Sequence, residues 1–179
     1  MASHWNKSPL HDRLKRLAES IDALVERDEA QARRAIEIGE HRRRAACELF
    51  AICQRFARDV NEMLERTQLE LDPPDFPPDS FREYDVNLIQ IHVRGRVLQI
   101  EFQAPDTLIS TEDFRVPYIL EGAIRSFNQD LLDRNAVDER LLFFCFDRAD
   151  TGWRYFDART YQSGMLTEQY LITVMESIL

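Results

Sequence analysis

The sequence predicts an α+β protein. We expect a long N-terminal helix or helical hairpin, then a two-layer sandwich with a mainly antiparallel four-stranded sheet in the order ββαββα. Apolar residues recur at intervals of three and four between residues 14 and 63. Four of the seven prolines fall within residues 71–81, and 15 of the 18 aromatic residues lie in residues 71–179. The chain is therefore predicted to hold a helical segment (1–70), a Pro-rich connector (71–81) and an acidic α+β domain (82–179).

The predicted first helix begins at Ser8-Pro9, with Ser as the N-cap and Pro at the first helical position. Its apolar register passes through the polar residues Asp28, Gln31 and Arg42. Because Gly39 is the only helix breaker before residue 71, this stretch is either one helix of about 90 Å or a hairpin of two helices.

An apolar stripe of this length predicts coiled-coil pairing, because a domain of about 110 residues is only about 30 Å across and cannot cover a 90 Å helix. We expect a homodimer on this ground. The candidate interface residues are Leu14, Leu17, Ile21, Leu24, Leu49, Ile52, Phe56 and Met63.

Basic residues on the same helix form a candidate patch for an acidic partner or for phosphates. They are Arg33, Arg34, Arg42, Arg43 and Arg44. The alternative is a self-compensated helix face, since several Glu residues lie within helical pairing distance. Arg42 occupies a core position of the register and should need an acidic partner.

The predicted sheet starts with a hairpin of strands 84–93 and 96–104, joined by a Gly turn. A helix is then predicted from Pro117 to about Asn135, with an apolar stripe at Leu120, Ile124, Phe127 and Leu131. A second hairpin follows, with strands 140–147 and 153–159. Thr167-Glu168 should cap a last helix that runs to the C-terminus.

Aromatic and basic residues in 152–164 have the composition of a protein interface. The candidates are Trp153, Tyr155, Phe156 and Tyr161, accompanied by Arg154 and Arg159. The alternative is ordinary strand packing. Successive side chains of a strand face opposite sides of the sheet, so about half of these residues should point into the core.

Charge and cysteine usage limit the partners and the compartment. Residues 1–70 carry 13 basic and 13 acidic residues, whereas residues 71–179 carry 10 and 19, so the net charge of −9 belongs to the second part. That charge disfavours nucleic acid and favours a protein partner. Three cysteines without a CxxC pair predict free thiols. With no signal peptide and no apolar run long enough for a bilayer, we expect a cytoplasmic protein without membrane association.

No cofactor or metal is expected, because the sequence lacks nucleotide-binding glycine motifs and metal-ligand spacings. The nearest catalytic pattern is Asp85 with Glu101 and Gln103, which resembles the acid and acid-x-lysine of restriction-type nucleases. Gln103 stands in the place of the lysine. The resemblance implies a degenerate metal-dependent nuclease that uses Asp85 and Glu101.

The favoured interpretation is a non-enzymatic interaction module, a self-associating accessory, adaptor or chaperone-like subunit. The order of a long helix followed by alternating hairpins and helices is similar to small secretion-chaperone folds. That similarity concerns the fold and says little about function.

Overall fold

The structure, a computed structural model, describes residues 9–128, 133 and 138–179. The chain divides into two compact units, Met1–Ile38 and Gly39–Leu179. Helix α1 spans Pro9–Asn61 without interruption, so this part of the chain is one helix and not a hairpin. In the first unit, each of residues 9–37 is exposed.

The second unit contains a seven-stranded antiparallel sheet in which every strand pairs with its neighbours in sequence. The strands are β1 (Glu70–Asp72), β2 (Asn87–Val93), β3 (Arg96–Gln103), β4 (Tyr118–Phe127), β5 (Asp138–Asp147), β6 (Asp150–Asp157) and β7 (Gln162–Met165). A 3-10 turn covers Pro78–Ser80, and helix α2 spans Glu168–Glu176. The α+β class and the antiparallel sheet are confirmed, but the predicted four strands and the ββαββα order are wrong.

The main error concerns the stretch after Pro117, which forms strand β4 and not a helix. Its consecutive residues Tyr118, Ile119 and Leu120 are all buried. A strand covered on both faces has a nearly continuous apolar run, and such a run also satisfies helical spacing. Leu131 and Asn135, named in the helix prediction, lie outside the described residues.

Two further strands were missed. Strand β1 is three residues long and ends immediately before Pro73, so it lies at the start of the predicted connector. Strand β7 has the sequence QSGM and lacks the β-branched and aromatic residues that signal strands. Both strands lie at the edges of the sheet, which fits their shortness.

The C-terminal part of α1 and helix α2 pack on one face of the sheet. The Trp153 indole Nε1 donates to the Ala45 carbonyl of α1 at 2.8 Å. Two residues farther along β6, the Tyr155 ring stacks on Tyr170 of α2, with ring centroids 3.6 Å apart. Because residues two apart on a strand share a face, α1 and α2 lie on the same side.

The core on this side is built from the C-terminal part of α1 and the inward positions of the strands. The buried helical residues are Ala45, Ala46, Leu49, Phe50, Ile52, Cys53, Phe56 and Ala57. Trp153 is at its centre and makes edge contacts with Phe102 and Phe144. In α2, Thr167 caps the first turn as predicted, its hydroxyl accepting from Tyr170 N.

Candidate functional site

The first candidate surface is an apolar stripe in residues 9–37 of α1, here called the N-terminal stripe. Its six side chains are between 46% and 62% exposed. They are Leu10, Leu14, Leu17, Ile21, Leu24 and Val25. Five of the six are spaced alternately by four and three residues, which is the heptad pattern of a coiled-coil seam, and Val25 adjoins them. Large apolar side chains rarely line up on one helix face at this exposure unless another surface covers them.

The same register has polar residues after Leu24. Asp28 and Gln31 occupy the next two seam positions, and both are exposed. A polar group in a seam weakens pairing but restricts its register. The apolar part that is suited to pairing therefore ends before Asp28, which limits it to about two heptads.

The remaining helical candidates for an interface have different environments. Leu49, Ile52 and Phe56 are buried inside the second unit of the same chain. Met63 lies beyond the end of α1 and is 84% exposed. Packing within the chain accounts for the burial of the first three, so the interface candidates that stay exposed on α1 belong to the N-terminal stripe.

The candidate basic patch is split by burial. Arg42 is buried, and its Nη1 lies 3.0 Å from Glu83 Oε1. The acid that Arg42 was expected to need is therefore in the same chain. Gly39 leaves room for this pair, because a Cβ there would lie 3.3 Å from Glu83 Oε2.

The other four arginines of the patch are exposed on α1. Arg33 lies 4.0 Å from Glu29, one turn earlier, and Arg44 Nη2 lies 3.1 Å from the His41 ring. Arg33 and Arg44 therefore contact side chains four and three residues earlier on the same helix, as helical spacing predicts.

The aromatic candidates near the second hairpin serve mainly as packing residues. Trp153 is buried, Tyr155 stacks on α2, and Phe156 lies 6.2 Å from the Phe114 ring on the opposite face. Tyr161 is 83% exposed and has a positive φ of 58° in the turn before β7. The aromatic residues named from the sequence therefore do not form one continuous surface.

The accompanying arginines are held by nearby carboxylates. Arg154 Nη2 lies 2.6 Å from Asp150 Oδ1. Arg159 lies near both Asp138 and Asp157 and thereby links the turn before β7 to the start of β5. These contacts stabilise the hairpin. Both guanidinium groups are therefore already paired with carboxylates of the same chain.

The second candidate surface is a pocket of about 380 Å³ on the sheet face opposite the helices, here called the sheet pocket. The strand register builds its floor. Glu101, Ala123 and Leu141 are cross-strand neighbours, and so are Gln103, Glu121 and Phe143. The small Ala123 side chain lies between larger neighbours and leaves the depression.

An ion-pair chain borders the sheet pocket. Arg125 lies 2.6 Å from Glu101 Oε1 through Nη1 and 2.6 Å from Glu139 Oε2 through Nε. Asp113 and Glu121 also line the pocket. Among the described residues, neither Asp113 nor Glu121 takes part in an ion pair, so the pocket holds an excess of negative charge.

The electrostatic environment of Glu121 reflects this excess. Burial raises the pKa of Glu121, and the carboxylates of Asp113, Asp106 and Glu112 raise it further, whereas a hydrogen bond from Tyr118 lowers it. An added positive charge would oppose both effects that raise the pKa of Glu121, because it stabilises the ionised carboxylate.

The sequence did not identify Glu121, Arg125 or Glu139 as site residues. The reason is the incorrect helix over β4, which separated these side chains. The period-two alternation of Glu121, Ala123 and Arg125 was the signal that could have placed them on one face.

The residues of the nuclease pattern lie at or near the sheet pocket. Glu101 and Gln103 line it, and Glu101 is bound to Arg125. Asp85 Oδ1 accepts from Val86 N in the turn before β2. Among the described residues, no group of three or more His, Cys, Asp or Glu side chains is arranged to hold a metal ion.

Comparisons with protein-family models, with curated proteins and with solved structures found no match to this chain. In the described part of the chain, no helix has the length and apolarity needed to cross a membrane.

Proposed function

We propose that this protein is a self-associating interaction module, and that the N-terminal stripe binds the same stripe of a second copy. The observation that carries the proposal is the exposed heptad pattern from Leu10 to Leu24. Burying one fully exposed Leu or Ile is worth roughly 1.5–3 kcal/mol, so each half-exposed member contributes about 1 kcal/mol when a partner covers it.

Charge favours a second copy as the occupant. Residues 1–38 carry seven basic and seven acidic residues, whereas residues 39–179 carry 16 and 25. Two copies of the neutral helical part can approach without net repulsion, while two copies of the acidic part repel each other. Contact between copies should therefore be confined to the helix.

Such a protein would act as an accessory, adaptor or chaperone-like subunit that brings two copies of its acidic domain into one assembly. Cys47, Cys53 and Cys145 are free. Free thiols agree with a reducing compartment, and the cytoplasm remains our proposed location.

Sedimentation velocity of the full chain at tens of micromolar tests the proposal. We expect a dimer for the natural sequence and a monomer for Leu17→Glu/Leu24→Glu, because the substitutions place charges in the seam. The matched control is Ala23→Glu/Ala30→Glu, which adds the same two charges to the same helix, away from the stripe, and should remain dimeric.

A monomeric natural chain would refute self-association. If both double variants weaken dimerisation equally, the role of the stripe is refuted, because added charge alone would then be enough to separate the copies. Circular dichroism should confirm that all three proteins keep their helix content.

A further inference from the structure

The sheet pocket shares no residue with the N-terminal stripe. Its shape is set by the side chains of adjacent strands. Ala123 is buried at its floor, and Leu141 adjoins it on β5. On β4, a Cβ at Gly122 would lie 2.0 Å from the Glu101 carbonyl oxygen. Gly122 therefore allows β3 and β4 to approach closely beside the pocket floor.

Charge decides what kind of ligand the pocket can take. Among the described residues, four carboxylates line it, from Glu101, Asp113, Glu121 and Glu139, against the single guanidinium of Arg125. Arg125 already contacts two of these carboxylates at 2.6 Å, so it has little capacity left for an anionic ligand. A ligand that brings positive charge would meet Glu121 and Asp113, which have no ion-pair partner among the described residues.

Size and lining narrow the ligand further. A volume of about 380 Å³ is much larger than a single ion needs and falls in the range of small-molecule sites. The apolar lining side chains include Val86, Ala123 and Leu141. Apolar surface beside carboxylates fits a molecule that has a hydrocarbon stem and a cationic head.

We propose that the sheet pocket binds an alkyl cation, a guanidinium or primary ammonium group on an aliphatic stem. The stem lies over Ala123 and Leu141, and the cationic head donates hydrogen bonds to Glu121. This chemistry occurs in free diamines and guanidino compounds, and it also occurs in the lysine and arginine side chains of a protein.

Isothermal titration calorimetry of the full chain tests the proposal with two probes. Agmatine represents a free alkyl cation, and N-acetylarginine methylamide represents an arginine within a protein. We expect at least one of them to bind, and the tighter one identifies the source. Hydrogen bonds to a charged group are worth about 1.5–3 kcal/mol, so Glu121→Gln should weaken binding by roughly tenfold to a hundredfold.

A second variant tests the shape of the pocket without changing its charge. Ala123→Leu fills the floor and should abolish binding. Asp79→Asn, in the exposed 3-10 turn, is the matched control for the loss of one acidic charge and should bind like the natural sequence. Should Ala123→Leu prevent folding, Glu121→Gln keeps the test decisive because it changes almost no volume.

Three results would overturn the proposal. One is the absence of binding by both probes at millimolar concentration. Another is unchanged affinity in Glu121→Gln. The third is binding of succinate that Ala123→Leu abolishes, which would identify the pocket as an anion site.

Discussion

Replacing Arg42 with Met should strongly destabilise the second unit. The Arg42 side chain is only 6% exposed, and its guanidinium links α1 to three other parts of the unit. Its Nε donates to the Ile119 carbonyl at 2.9 Å, and its Nη2 donates to the Leu108 carbonyl at 2.9 Å and the Thr107 carbonyl at 3.3 Å. Met keeps much of the stem but removes all of these donors, together with the partner of Glu83.

The cost can be judged from the groups left behind. Removing one partner of a buried ion pair typically costs 3–5 kcal/mol. Glu83 keeps 29% of its side-chain surface exposed, so water can hydrate its carboxylate and the loss should lie near the low end of that range. At a typical urea dependence of 1–3 kcal/mol/M, a loss of about 3 kcal/mol lowers the urea midpoint by roughly 1–3 M.

Urea unfolding followed by tryptophan fluorescence measures this change, with Arg43→Met as the control. Arg43 is exposed on the same helix, so its replacement should alter the free energy of unfolding by less than about 0.5 kcal/mol. Glu83→Gln should fall between the two, because the amide oxygen can still accept from Arg42. Equal stability of Arg42→Met and Arg43→Met would refute the anchoring role of Arg42.

Two further predictions concern α2 and the extent of the folding unit. Burial raises the pKa of Tyr170 to about 12 from its ordinary 10.0, so the stability contributed by the protonated phenol should be present below pH 10 and lost as the pH rises toward 12. Tyr170→Phe should reduce the loss of stability across that interval, as urea unfolding would show. Burial also raises the pKa of Cys145 to about 11 and that of Cys53 to about 12, so part of the loss should remain. An unchanged loss would contradict the contribution of Tyr170. A fragment of residues 39–179 should unfold cooperatively in urea, whereas residues 82–179 should not, because the latter lacks the cover that α1 gives to Trp153. Cooperative unfolding of the shorter fragment would instead support the domain boundary predicted from the prolines.

Local signals in the sequence were sufficient for several elements. The helix cap at Thr167 and the β2–β3 hairpin follow from patterns within a few residues of each other. The helical period predicted α1, but it did not decide between one helix and a hairpin of two. The β5–β6 hairpin was also predicted, although its turn falls at Arg148-Ala149 and the residues 150–152 belong to β6. Residues at the end of a strand can also have the composition of a turn, so predicted strand ends differ from observed ones by a few residues.

The remaining features depend on contacts between distant parts of the chain. Strand β4 could not be distinguished from a helix from its own sequence. Both of its faces are buried by segments that are distant along the chain, so its apolar run does not alternate. The sheet pocket followed this error, since its residues become neighbours only through the β3–β4 and β4–β5 registers. The partner of Arg42 was equally hidden, because Glu83 is 41 residues away.

The late position of Trp153 has a consequence for synthesis of the chain. Ala45 is made 108 residues before the indole that bonds to it, which at 5–20 residues per second corresponds to roughly 5–20 s. Until the indole is made, the part of α1 that packs around Trp153 lacks part of its cover, and the N-terminal stripe stays exposed. Under the proposed self-association, pairing between nascent helices on neighbouring ribosomes would compete with packing on the sheet. Asp28 and Gln31 interrupt the apolar stripe between its two parts, so pairing that begins at the N-terminal stripe would be discouraged from spreading into the future core.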